Sequence, residues 1–221
     1  MLPYKKQWFL VLLVFFLGHC TNRSYDYGKA KTSSSLLRLA HRLEDGKDYV
    51  MAARFYKEAL EQGKYSQDFY IEYFSFLLRL GQAQAALNLY ETHPPLFEKP
   101  LSFKKMILKA YFMEKRPEDG VELTLKLIDS YPENIELYNY AGLFYGLKKD
   151  YEKALNFLKR GLNIDPQSKM LRSSLAITFV LAGQHDMGIK KLNTLANDSN
   201  ASQKDHENLK WAKDYVVQKK I

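Results

Sequence analysis

Residues 135–168 read IELYNYAGLFYGLKKDYEKALNFLKRGLNIDPQS, and this stretch decides the fold class. Its first half repeats apolar or small residues at three- and four-residue steps, namely Tyr138, Ala141, Gly142 and Tyr145. That spacing predicts a helix. The polar break Lys148-Lys149-Asp150 separates it from a second periodic run, which ends near Pro166 because proline cannot continue a helix. The stretch therefore predicts two antiparallel helices joined by a tight turn.

The same pattern occurs five times at a constant spacing of 34 residues. The copies follow one another without a gap and span residues 33–66, 67–100, 101–134, 135–168 and 169–202. The twentieth residue of every copy is small: Ala52, Ala86, Gly120, Ala154 and Gly188. A small side chain there lets the second helix of a copy approach the first closely. Three positions depart from the pattern, with polar side chains where large apolar ones pack in other copies: Lys104, Thr124 and Arg172.

These landmarks resemble the tetratricopeptide repeat (TPR), and the resemblance covers residues 33–202. It implies an all-α fold, a right-handed α-solenoid of five antiparallel helix pairs in which neighbouring hairpins bury each other's apolar faces. Residues 203–221 predict one more helix, with Leu209, Ala212, Tyr215 and Val216 on one face and lysines away from it. Ser202 and Asp205 have the spacing of a capping box. We expect this helix to cap the open end of the fifth copy; a membrane-surface helix is the alternative.

The N-terminal segment, residues 1–19, has the form of a signal peptide. Lys5 and Lys6 precede ten unbroken apolar residues, from Trp8 to Leu17. A helix needs about 20 apolar residues to span a bilayer, so the run favours export followed by cleavage.

Cys20 follows directly in Leu17-Gly18-His19-Cys20, which resembles a bacterial lipobox. The resemblance implies that Cys20 becomes the lipidated N-terminus, although His19 departs from the small residue usual at that position. Residues 20–32 then predict a polar tether. Thr21 is not the aspartate that retains lipoproteins at the inner membrane, which favours the outer membrane. An uncleaved anchor beside an incidental cysteine is the alternative.

Composition excludes several classes of site. One cysteine forbids an intrachain disulfide and a multi-thiolate zinc site, and the five histidines are scattered, so we expect no metal and no cofactor. No catalytic constellation is found, which predicts a non-enzymatic protein. Without Lys5 and Lys6 the chain has 31 basic and 25 acidic residues, but no basic stripe with interleaved aromatics, so nucleic acid is not an expected partner.

The resemblance implies a concave face formed by the first helix of each copy. The residues it places there are Ile71, Ser75, Leu78, Lys105, Lys109, Phe112, Asn139, Leu143, Ser173 and Ile177. Lys105, Lys109 and Asn139 form at most a partial positive patch, with solvated lysines as the alternative. The sequence thus favours a membrane-anchored scaffold or assembly factor of the bacterial cell envelope, facing the periplasm or the exterior. A receptor on an uncleaved anchor and a subunit supporting a cell-wall enzyme stay open, as does the oligomeric state.

Overall fold

A computed structural model describes residues 33–61, 67–92 and 100–219. The predicted signal peptide, Cys20 and the tether lie outside these residues. Two compact units divide between Tyr65 and Ser66. No helix within the described ranges is long and apolar enough to cross a membrane.

Every regular element of the described residues is an α-helix, which confirms the predicted all-α class. The first unit contains α1 (Ser33–Asp45) and α2 (Tyr49–Glu61). The helices of the second unit are α3 (Gln67–Arg79), α4 (Ala83–Thr92), α5 (Leu101–Met113), α6 (Pro117–Ser130), α7 (Ile135–Leu147), α8 (Tyr151–Ile164), α9 (Lys169–Leu181), α10 (His185–Ala196) and α11 (Gln203–Gln218). The first helices of the five copies start 34 residues apart.

The turn inside each hairpin has one residue in the left-handed region, always the fifteenth of its copy. These residues are Lys47 (φ 63°), Gly81 (φ 74°), Lys115 (φ 53°), Lys149 (φ 60°) and Gly183 (φ 83°). In the fourth copy the N–H of Lys149 donates to the carbonyl of Gly146 at 3.0 Å, and the N–H of Asp150 donates to that of Tyr145 at 2.9 Å. A left-handed residue ends a helix in this way because its own N–H and the N–H of the next residue turn back onto the last carbonyls of the helix.

The fourth hairpin shows how small residues bring its helices together. A Cβ atom on Gly142 would lie 2.6 Å from Cγ of Leu158, so any larger residue would displace this leucine. Ala154, the small residue of α8, is fully buried. Leu158 also packs in a cluster with Leu171 and Phe179 of α9, which joins the fourth copy to the fifth.

The third copy uses its small residue differently. A Cβ on Gly120 would overlap the ring of Phe144, which belongs to the first helix of the following copy. Gly120 was expected to bring α6 close to α5 within the third hairpin. At this position the close contact is instead between α6 and α7 of the following copy. Thr124 is fully buried, and its Oγ1 donates to the carbonyl of Gly120 at 2.6 Å, which satisfies the hydroxyl where other copies have a large side chain.

The predicted cap is present as α11. Ala212 is fully buried in a cluster with Ala176, Val180 and Leu192. Ser202 and Asp205 form the expected capping box. Because α11 starts 34 residues after Lys169, it occupies the place of the first helix of a sixth copy.

Candidate functional site

One polar link is repeated along the series α5, α7, α9 and α11, from the sixth residue of one helix to the fifth residue of the helix before it. The links are Tyr140 Oη to the carbonyl of Lys105 (3.3 Å), Ser174 Oγ to Asn139 Oδ1 (2.6 Å) and Asn208 Nδ2 to Ser173 Oγ (2.9 Å). Each link joins residues 35 apart. Helices α5, α7, α9 and α11 therefore lie side by side in one register.

One turn beyond these links, the ninth residue of each helix lies on the same side, because residues four apart share a helix face. These residues are Lys109, Leu143, Ile177 and Trp211, which we call the groove row. Lys109 is exposed and Trp211 is 39% exposed. Leu143 and Ile177 are partly exposed. The row is thus a surface that changes from a cation at α5 to an aromatic ring at α11.

Trp211 was not among the residues predicted for the site, because the sequence favoured α11 as a cap of the fifth copy, with a membrane-surface helix as the alternative. The available signal was its position, 34 residues after Ile177. Its ring stacks on Tyr215 of the same helix, with centroids 5.3 Å apart.

The two lysines of the predicted positive patch differ in environment. Lys105 Nζ lies 2.6 Å from Oε2 of Glu136, so its charge is paired. Lys109 has no carboxylate within ion-pair distance among the residues that the structure describes. The positive end of the groove row is therefore Lys109 rather than a cluster.

The other residues predicted for the concave face have packing or linking contacts. Asn139 and Ser173 accept the links described above, and the ring of Phe112 lies edge-on to Phe144 with centroids 6.3 Å apart. On α3, Ser75 accepts a hydrogen bond from Arg79 at 2.7 Å, and Ile71 is partly exposed. Leu78 is only 6% exposed, so it presents little surface to a partner.

Tyr140 fixes the α5–α7 end of this surface. Burial raises the pKa of Tyr140, and the negative charge of Glu136 raises it further. The hydroxyl is therefore protonated at neutral pH and remains a donor to the carbonyl of Lys105. No group of three metal-ligating side chains occurs in the described parts of the chain.

The sequence matches no family model and no curated protein. A crystal structure of a tetratricopeptide repeat protein from Parabacteroides merdae ATCC 43184 does match the fold, with a TM-score of 0.67. The match covers 81% of this chain and 72% of that chain at 19% identity. The chain has the TPR fold.

Two further TPR structures match at similar levels. A thermophilic TPR protein of Thermus thermophilus has a TM-score of 0.59 and 19% identity, covering 82% of this chain and 98% of that chain. YrrB, a TPR protein with an unusual peptide-binding site, has a TM-score of 0.59 and 14% identity, covering 85% of this chain and 94% of its own. At these identities the likeness establishes the fold alone.

Proposed function

We propose that this TPR protein is a non-enzymatic scaffold that binds a partner protein on the surface formed by α5, α7, α9 and α11. The groove row carries the proposal. Leu143, Ile177 and Trp211 present partly exposed apolar surface from successive helices, and the polar links hold those helices in register. Exposed apolar rows with an aromatic anchor are typical of protein-recognition surfaces.

The row also indicates the chemistry of the partner. Lys109 is a cation without a carboxylate partner in the described structure, whereas Trp211 offers an aromatic face. A peptide along the row would place an acidic residue near Lys109 and an apolar side chain against Trp211. Peptide binding by another TPR protein, YrrB, is consistent with this use of the fold.

Affinity capture with matched variants tests the proposal. Tagged protein is used to capture partners from a membrane extract beside Trp211→Ala and Lys109→Glu. Lys159→Glu, on the exposed side of α8, is the control. We expect one partner to be lost from both groove variants and kept by the control, with unchanged helicity by circular dichroism. Retention by both groove variants would place the binding site elsewhere.

We also propose that the scaffold is held at a membrane of the bacterial cell envelope, with the outer membrane favoured, through lipidated Cys20. The support is the sequence alone: the short apolar run, and the only cysteine placed directly behind Leu17-Gly18-His19. One acyl chain anchors only marginally, at about 0.8 kcal/mol per buried methylene, so stable anchoring requires the several chains that a lipoprotein cysteine carries.

Mass spectrometry of the N-terminus tests the anchor. A lipidated N-terminus at Cys20, together with release of a Cys20→Ala variant from membranes, is the expected result. An intact Met1 and unchanged membrane association of the variant would favour the alternative, a TPR receptor or adaptor on an uncleaved anchor. Capture of a cell-wall enzyme as the groove-dependent partner would indicate a supporting subunit of that enzyme.

A further inference from the structure

A cavity of about 250 Å³ lies between α8, α9 and α10, away from the groove row. Its apolar lining includes Leu162, Leu175 and Leu195, and its polar lining includes Arg172, Lys191 and Thr194. Arg172 and Leu175 project from the side of α9 roughly opposite to Ser173 and Ile177, as the helical angle of about 100° per residue requires. The cavity therefore opens on a different side of α9 from the groove row.

The cavity occurs where the fifth copy departs from the repeat pattern. The residue equivalent to Arg172 in the fourth copy is Tyr138, which is buried and donates its hydroxyl to the carbonyl of Pro132 at 2.8 Å. Arg172 is partly exposed, because a guanidinium keeps its charge near water while its stem covers apolar surface. Leu195 replaces Gly161 opposite this position. Leu195 and Arg172 both line the cavity, so an apolar wall and a cation stand where the fourth copy has glycine and a buried tyrosine.

The two cations of the cavity have no carboxylate within ion-pair distance in the described ranges. Lys191 Nζ lies 5.9 Å from the ring centroid of Phe179. Asp198 interacts with Arg172 electrostatically, but it is paired with Lys169 at 3.3 Å and accepts the N–H of Asn200 at 2.9 Å. The site thus combines apolar walls with two cations that make no direct ion pair within the described ranges.

We propose that this cavity binds the C-terminal residue of a partner peptide, with an apolar side chain among the leucines and the carboxylate between Arg172 and Lys191. The volume fits, since an apolar cavity of about 150 Å³ holds benzene. Arginine can also donate two parallel hydrogen bonds to a carboxylate. This site is independent of the groove row, so one scaffold can hold two partners.

Binding of small probes to the full chain, measured through NMR chemical-shift changes, tests whether the cavity binds a peptide C-terminus. We expect N-acetylphenylalanine to bind about tenfold more tightly than its amide, because only the acid supplies a charge for Arg172 and Lys191. Lys191→Gln should weaken the acid about fivefold and leave the amide unchanged. Lys190→Gln is the matched control, since Lys190 is exposed on the same helix and does not line the cavity. Thr194→Phe should fill the cavity and abolish binding of both probes.

Three results would overturn the proposal. Equal affinities of the acid and the amide would show that the carboxylate does not contribute to binding. Tighter binding of octanoate than of N-acetylphenylalanine would assign the cavity to fatty acids rather than to peptide C-termini. A probe at about 10 mM would occupy most of a site with a millimolar dissociation constant. No binding of any probe at this concentration would show that the cavity is not a ligand site.

Discussion

Gly142 of α7 lies against Leu158 of α8 so closely that a Cβ atom on Gly142 would be 2.6 Å from the leucine Cγ. Glycine inside a helix costs about 1 kcal/mol relative to alanine. The cost is offset here because the missing side chain allows the helices of the fourth hairpin to pack around Leu158, which is fully buried. Gly146, one turn later on α7, has no such neighbour within 4 Å.

These two glycines give a matched pair of substitutions. We expect Gly142→Ala to lower the free energy of unfolding by about 1–3 kcal/mol, because the new methyl group displaces Leu158. Gly146→Ala should leave it unchanged or raise it by up to about 1 kcal/mol, because alanine favours the helix. Urea unfolding followed by circular dichroism measures both. Equal effects of the two substitutions would mean that the fourth hairpin is not packed as described.

Lys149 occupies the left-handed region with φ at 60°. A non-glycine residue there costs about 1–2 kcal/mol of stability. Glycine removes this strain, but its greater freedom in the unfolded chain offsets part of the gain. We expect Lys149→Gly to raise the free energy of unfolding by about 0.5–1 kcal/mol. The control is Lys159→Gly within α8, which should lower it by about 1 kcal/mol. Destabilisation by both would contradict the turn geometry.

Asp205 makes the stability of α11 dependent on pH. Its Oδ2 accepts the backbone N–H of Ser202 at 2.8 Å and the Ser202 hydroxyl at 2.7 Å, and these bonds lower the pKa of Asp205 below its usual value. A carboxyl whose pKa is lowered by folding stabilises the protein above about pH 4 and loses this contribution as the pH falls further.

We therefore expect Asp205→Asn to destabilise the protein by about 1 kcal/mol near neutral pH, with the difference from the wild type shrinking between about pH 5 and pH 2. Thermal unfolding followed by circular dichroism across this range measures the difference. Asp214→Asn, on the exposed side of the same helix, is the control and should have little effect at either pH. A constant difference across this range would show that the charge of Asp205 does not contribute.

Trp211 provides an optical readout of the proposed groove. The sequence has two tryptophans, Trp8 and Trp211, so a chain cleaved before Cys20 retains Trp211 alone. We expect a bound partner to shift the emission of Trp211 to shorter wavelength, because its exposed ring becomes desolvated. Trp211→Ala should weaken partner binding by at least about 2 kcal/mol, as expected of an aromatic anchor. An unchanged spectrum at saturating partner would place Trp211 outside the site.

The helical hairpins and the buried face of α11 could be predicted because they follow from spacing, which the sequence displays directly. The left-handed turns could be recognised only at Gly81 and Gly183, since lysine at the equivalent positions gives no signal. The contact of Gly120 with Phe144 was not predictable, because a constant spacing of small residues does not say which neighbouring helix fills the space.

The candidate site was predicted in part for similar reasons. The fifth and ninth positions of the first helices identified Asn139, Leu143 and Ile177. The pairing of Lys105 with Glu136 depends on the distance between α5 and α7, which spacing alone does not give. Lipidation of Cys20 stays a prediction.

Site-specific photo-crosslinking tests the central claim most directly. Benzoylphenylalanine is introduced at Trp211 in the groove row and, as a control, at Lys159 on the exposed side of α8. The predicted result is a single partner adduct from position 211 that Lys109→Glu abolishes, and no adduct of that partner from position 159. An adduct with the same partner from position 159, together with none from position 211, would contradict the assignment of the groove row as the binding surface.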